Sequence, residues 1–376
     1  MTSTRAGWRT RLGAVIAVLT VSCGSDPALV DGPSFVDITW MSMANVHYQI
    51  GNLGVVTDGY FSRLPIEDFY GGGGGLERTR RPHQPDVEAV ARVLAAVGGA
   101  MRINLLLTGH SHFDHSFDIA TWSRLTGAPI YGSRTTCFQA IAGNVPEDRC
   151  TPVVGGEAIP IAPNVTMFVV RWNHSGSSQT NPEQHNPVEL DAPPALDPDT
   201  GGFRAGVGED FPNGGGSRGY LFTVDGPERR FSWFYQGTAS AVDLHLPIVV
   251  GGVDYGPPLD NLTAAMADAR LSSVDLWIGR GDATVVQLVL PVIAPHAFLP
   301  IHWDGLDPPF EEGMPERYSD PPLEELLAVA GVELISPGQY MDKWRLDHEG
   351  VRPIENHAAK QQLGLAEVQD LPLTTK

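Results

Sequence analysis

Six consecutive residues limit most tightly how this chain can fold: His110-Ser111-His112-Phe113-Asp114-His115 packs four metal-competent side chains into one short segment. The apolar run Ile103 to Thr108 before it reads as a buried strand; Ile119 to Leu125 after it has helical spacing, and Pro129-Ile130-Tyr131 reads as a further strand. Strand, loop, helix, strand puts the segment at the end of a rigid element, where a loop can aim alternate side chains at one point. Two distant histidines occupy similar places. His174 follows the apolar strand Val165 to Trp172, and His302 follows Phe298 to Ile301. Either one alone reads as an ordinary core or surface histidine, but together with the cluster they read as ligands. Imidazole and carboxylate donors converging at about 2 Å suit one or two zinc ions, with iron and manganese left open.

The rest of the chain alternates strands, helices and long loops. From Phe35 on, Ile38, Trp40, Val46, Tyr48, Ile50 and Val55-Val56-Thr57 predict two or three short strands turning at Gly51-Asn52. Pro85 to Gly98 predicts a helix, and Gly219 to Val224 with Arg230 to Tyr235 a hairpin turning at Asp225-Gly226. Five glycines, Gly71 to Gly75, cannot pack a core and form a surface loop. Ser175 to Ser217 has no periodicity and directly follows His174, so a lid or binding loop is expected there. No internal repeat is visible. Trp172, Tyr220, Trp233 and Trp303 lie near the ligands in sequence, where an apolar pocket is one role and core packing the expected one for most; for His245 the choice is between proton transfer and a structural role, and it reads as structural.

In order and spacing, residues 35 to 345 resemble the metallo-β-lactamase superfamily, whose signature is HxHxDH followed by a distant His, a later Asp and a final His. Thr57-Asp58-Gly59-Tyr60-Phe61-Ser62 looks like the "TDPxFS" segment of its lactonase-like and phospholipase-D-like branch, and Pro300-Ile301-His302-Trp303 adds to the likeness. The resemblance implies an α/β (α+β) fold, a four-layer αββα sandwich. It implies His110, His112 and His174 on a first zinc, and Asp114, His115 and His302 on a second. Asp58 would sit beneath them as the acceptor that orients a ligand histidine, its alternative role being a turn cap. The implied activity is zinc-dependent hydrolysis of a small ester, lactone, lactam or phosphodiester, with Asp114 as the catalytic residue that orients the attacking water. An iron-dependent oxidoreductase on the same scaffold and a non-catalytic metal-binding envelope protein are the competing readings.

Two departures from the family pattern stand out. Where the metal-bridging Asp is expected, the chain reads Gly237-Thr238-Ala239-Ser240, so Thr238 takes its place. Either Asp243 or Asp254 reaches in from farther along, or the metals share only water, and loss of the bridge would weaken the second site. In Trp40-Met41-Ser42-Met43-Ala44-Asn45, Met43 replaces the histidine of the branch's "GHA" segment and reads as packing.

At the amino end, Arg5, Arg9 and Arg11 precede the apolar run Leu12 to Val21, the layout of a secretory signal over residues 1 to 22 and too short for a membrane anchor. Ser22-Cys23 resembles the end of a bacterial lipobox, with Thr20 where Leu is usual. The expectation is therefore an exported protein of the bacterial periplasm or cell envelope, with lipid on Cys23 as its one membrane contact. Residues 23 to 34 would be a linker and residues 346 to 376 a C-terminal tail. Loss of residues 1 to 22 removes three arginines and takes the net charge from −19 to −22. Such a field repels phosphate backbones, so a small-molecule substrate is expected and nucleic acid is not. Cys137 and Cys150 are disulfide candidates for an oxidising compartment, the alternatives being two buried thiols or a soft-metal site.

Overall fold

Strands that are apolar on both faces must be covered on both faces, and the two long strands after the ligand cluster show how this is met. In Val165–Trp172, Val165, Met167 and Val169 turn into one apolar cluster while Phe168, Val170 and Trp172 turn into another; Ser217–Asp225 divides Tyr220 and Phe222 from Leu221 in the same way. The first cluster fills the space between the two sheets and continues beneath the helices of the eight-stranded one, and the second lies between the other sheet and its helices. The computed structural model describes residues 32–65, 81–176, 188–204, 210–306 and 308–365.

One sheet has eight strands in the order Gly350–Ile354, Asp342–Asp347, Val36–Ser42, Asn45–Ile50, Leu53–Thr57, Leu105–Leu107, Ile130–Gly132 and Cys150–Pro152. The other has seven: Glu333–Leu334, Ala297–Pro300, Leu276–Gly279, Arg230–Gln236, Ser217–Asp225, Val165–Trp172 and Ala158–Ala162. Each combines an antiparallel run with a parallel run. The chain thus repeats one plan twice, a likeness of strand order that residue identities do not display. Tyr48 of the first sheet packs on Phe222 and Trp233 of the second with ring centroids 5.6 and 5.3 Å apart, joining the inner faces.

Helices cover the outer faces, completing the four-layer αββα sandwich. Val87–Ala96 starts where the Asp86 side chain accepts from Ala89 N and buries Ala89, Val90, Val93 and Leu94. Ala283–Ile293 starts at Asp282, which accepts from Thr284 N and Val285 N, and brings Val285, Val286, Val289 and Ile293 to the second cluster. Cys137 and Cys150 form a disulfide between the helix Arg134–Ala142 and the strand Cys150–Pro152. Among the described residues no helix is long and apolar enough to cross a membrane.

One expectation is corrected. The boundary between 345 and 346 cuts through the strand Asp342–Asp347, and the residues after it continue the domain: Gly350–Ile354 adds an edge strand, and Leu346, Ala359, Leu363 and Leu365 are core. The polar look of this stretch reflects a strand with one solvated face. Of the expected lid or binding loop, Ser175 to Ser217, residues 177–187 and 205–209 lie outside the described residues, and residues 210–217 are largely buried behind the ligand loop. Cys23, the signal segment and Gly71 to Gly75 lie outside the described residues.

Candidate metal centre

The ligand segment leaves the strand Leu105–Leu107 and becomes a helical turn at Phe113–Ser116, with His112 in extended backbone at its start. This change of conformation separates the side chains: His110 and His112 reach one way, Asp114 and His115 another. The loop is held from behind. Gln139 Nε2 donates to the carbonyls of Ser111 (2.9 Å) and Asp210 (3.0 Å), and Gly214 N donates to Ser111 Oγ (2.9 Å). Phe113 and Phe117 plug a separate apolar cluster containing Met43, Tyr60, Phe203 and Phe211.

The six predicted ligands converge as two trios. In the first, His110 Nε2 lies 3.2 Å from His112 Nδ1 and 3.1 Å from His174 Nε2. In the second, His302 Nε2 lies 3.2 Å from both Asp114 Oδ2 and His115 Nε2, which are 3.4 Å from each other. Ligand atoms about 2.0–2.1 Å from a tetrahedral ion stand about 3.3–3.4 Å apart, so these spacings fit a cation in each trio. The trios adjoin, since ligand atoms of His110, Asp114 and His115 all lie within 4.8 Å of one another.

Hydrogen bonds fix which nitrogen faces the centre. His115 Nδ1 donates to Asp58 Oδ2 (2.7 Å) and His174 Nδ1 to the Ser175 carbonyl (3.0 Å), leaving each Nε2 lone pair for a cation. Asp58 is fully buried; its Oδ1 also accepts from Gly109 N (2.7 Å) and its Oδ2 from the Tyr235 hydroxyl (2.6 Å). Asp58 and His302 have φ of 60° and 61°, strained for residues with a Cβ, and each is pinned: Asp58 N donates to the Leu107 carbonyl (2.7 Å), His302 N to the Met43 carbonyl (3.0 Å). A Cβ on Gly237 would stand 3.2 Å from His115 Cε1 and 3.3 Å from Asp58 Oδ2, so the chain passes there most easily without a side chain.

Burial, reinforced by the neighbouring imidazoles, holds His110 and His174 well below the usual histidine range, and burial brings His112 down to about 4. Burial would raise Asp114, but His115 and His302 beside it hold it below the usual carboxylate range. Burial would lower His115, yet Asp114 and Asp58 raise it. His110, His112, His174 and His302 are thus held neutral and Asp114 ionised, the donor states that a divalent cation requires, while His115, whose two acid neighbours favour its protonated form, would release a proton to serve as a ligand.

The other sequence candidates separate clearly. Thr238 lines the cleft, where its hydroxyl accepts from Ser175 N (3.0 Å). Neither Asp243 nor Asp254 lines it: Asp243 is buried elsewhere, and Asp254 is exposed on a two-stranded hairpin, accepting from Gly256 N. His245 is exposed, while Trp172, Tyr220 and Trp233 are core. Met43 is buried packing whose amide donates to Asp304. Sequence reasoning missed Tyr235 and Asp304. It also missed Asn45, which accepts from Gly59 N and Tyr60 N and so shapes the loop after Asp58. Tyr235 and Asp304 carry no local signal, because each acts on a residue far away in the chain.

The trios open into a cleft of about 560 Å³, walled by Arg280, Trp303 and Tyr318. Trp303 stacks on Trp40 and meets Tyr318 edge-on. No family model matches the chain. A UPF0173 metal-dependent hydrolase of Pyrobaculum islandicum is 29% identical over 72 residues, 19% of this chain and 32% of that protein, so the match spans about a third of the curated relative. Among solved structures, an isothiocyanate hydrolase from Delia radicum gut bacteria (TM-score 0.45, 10% identity) aligns over 82% of this chain and 98% of its own. Igni18, a metallo hydrolase from Ignicoccus hospitalis (TM-score 0.41, 13% identity), aligns over 83% and 98%. The metallo-β-lactamase fold protein YhfI from Bacillus subtilis (TM-score 0.41, 11% identity) aligns over 83% and 99%.

Proposed function

We propose that the protein is a metal-dependent hydrolase that uses zinc against a small ester, lactone, lactam or phosphodiester. The observation that carries this reading is the pair of adjoining trios, whose donor atoms stand 3.1–3.4 Å apart at the floor of an open cleft. His110, His112 and His174 would hold one ion, and Asp114, His115 and His302 the other. When bound, zinc supplies Lewis acidity and makes water a better nucleophile at neutral pH. The chain supplies the rest. Asp114, ionised and directed into the cleft, accepts a hydrogen bond from the attacking water and orients it. Asp58 keeps the His115 proton on Nδ1, and Tyr235 keeps Asp58 in place. Trp303 and Tyr318 offer an apolar wall to the substrate, with Arg280 as a cationic neighbour of His115 and His302. A panel of ester, lactone, lactam and phosphodiester substrates tests the reading: it requires turnover of at least one class, abolished by chelation and restored by zinc. Turnover that survives chelation, or none in the zinc-loaded protein, counts against it.

The same reading takes residues 1 to 22 as an export signal and Cys23 as a lipid-bearing residue. Palmitate labelling in a bacterial host, lost in Cys23→Ser, supports the lipid; labelling unchanged by the substitution rejects it.

A further inference from the structure

The helix Arg134–Ala142 stands behind the ligand segment and divides its side chains between two tasks. Cys137 and Ala140, one turn apart, enter the first apolar cluster, and the disulfide to Cys150 fastens the helix to the last strand of the eight-stranded sheet. Thr136 and Gln139, also one turn apart, meet the ligand segment and the strand end before it. Thr136 Oγ1 lies 3.2 Å from the hydroxyl of Thr108, two residues before His110.

Gln139 is 1% exposed, and both ends of its carboxamide are engaged. Nε2 donates to the Ser111 carbonyl (2.9 Å) and to the Asp210 carbonyl (3.0 Å), while Oε1 accepts from Ser116 Oγ (2.8 Å). Ser111 stands between His110 and His112 of one trio; Ser116 directly follows His115 of the other. One planar group thus spans both ends of the ligand segment. Its remaining bond, to Asp210, ties in the stretch whose Gly214 N donates to Ser111 Oγ. The pattern needs two donors and one acceptor on a single side chain, which an amide supplies. A glutamate there would set an oxygen against two carbonyl oxygens.

We infer that Gln139 is the positioning residue of the whole metal centre, holding both trios at their ligand spacing through one amide. The inference rests on the metal reading proposed above. Without the amide, two buried carbonyls lose a donor, and a segment that turns to find new ones carries His110, His112 and His115 with it. Asp58, by contrast, bonds to one ligand, His115.

Zinc affinities of the two trios, resolved on the full chain by competition against a fluorescent chelator, test this. Gln139→Met keeps the length of the side chain and loses all three bonds, so both trios should weaken by about 10–100-fold. Ser116→Ala should weaken the trio of Asp114, His115 and His302 by about threefold to tenfold and the other by less than about threefold. Combined with Gln139→Met, it should add less than about twofold at that trio, because the bond between them is already gone. Val93→Ala, a core truncation in the helix Val87–Ala96, serves as the control for lost stability: it should lower Tm and leave both affinities within about twofold. Unchanged affinities in Gln139→Met, or an equal loss in Val93→Ala, overturn the inference and leave the metal reading standing. If Gln139→Met fails to fold, Ser116→Ala decides, and unchanged binding there overturns the inference. A wild-type chain that binds no zinc overturns the metal reading as well.

Discussion

Replacing Asp58 by Asn separates the two trios. The side chain keeps its size, but one of its two acceptor atoms becomes a donor. With the amide oxygen toward His115 and Tyr235, the new NH2 confronts Gly109 N–H; flipped, it confronts the other two donors. A hydrogen bond to a charged group contributes about 1.5–3 kcal/mol, and outer partners of metal-binding histidines typically govern about 10–100-fold in affinity. Asp58→Asn should therefore weaken divalent-ion binding by about 10–100-fold at the trio containing His115. The trio of His110, His112 and His174, which Asp58 reaches only through the Gly109 backbone, should change by less than about threefold, under 1 kcal/mol. Tyr235→Phe removes one of the three donors and leaves His115 its partner, so about threefold to tenfold is expected at the same trio. Competition against a fluorescent zinc chelator resolves the two affinities. Equal weakening of both trios, or unchanged binding in Asp58→Asn, would refute the assignment of Asp58 to His115.

Asp114→Asn should lower kcat by about 10²–10⁴-fold, while Thr238→Ala, which removes only an acceptor for Ser175 N, should cost less than about threefold; equal losses in steady-state assays would contradict this division of roles. Burial, with Lys343 and Arg102 nearby, pushes His47 down to about 4, so the fold keeps it neutral where the unfolded chain would protonate it. That contribution is complete above pH 6.5 and is lost as pH falls toward 4, about 2–3 kcal/mol at pH 4.5. Urea melts at pH 7 and 4.5 should show a smaller acid loss in His47→Gln, and an identical loss would exclude His47 as a source. Opening the disulfide in Cys137→Ser/Cys150→Ser should cost about 3 kcal/mol, roughly 4 °C in a thermal melt, and an unchanged Tm would mean the link adds nothing.

The ligand cluster was legible because its chemistry is local: a buried strand and a helix bracket HSHFDH, and both single histidines end apolar strands. Asp58 could be read only through the likeness of its TDGYFS segment to a family motif. Tyr235 and Asp304 were not legible, since their partners lie 177 and 261 positions away and nothing in their neighbourhoods marks them. The end of the chain was misread for a different reason. Trp344, Leu346 and Val351 pack inward, but the arginines and acids between them dominate the composition. The long stretch after His174 lacks periodicity because its buried portion is held by contacts of single residues, such as Asp210 and Gly214, with the ligand loop.

Mass spectrometry of native protein, equilibrated with zinc and freed of excess metal, weighs the central claim directly. About two zinc ions per chain are expected, falling to about one in His302→Ala while the fold stays intact by circular dichroism. A zinc-free spectrum of the folded wild type, or an unaltered count in the variant, would contradict it.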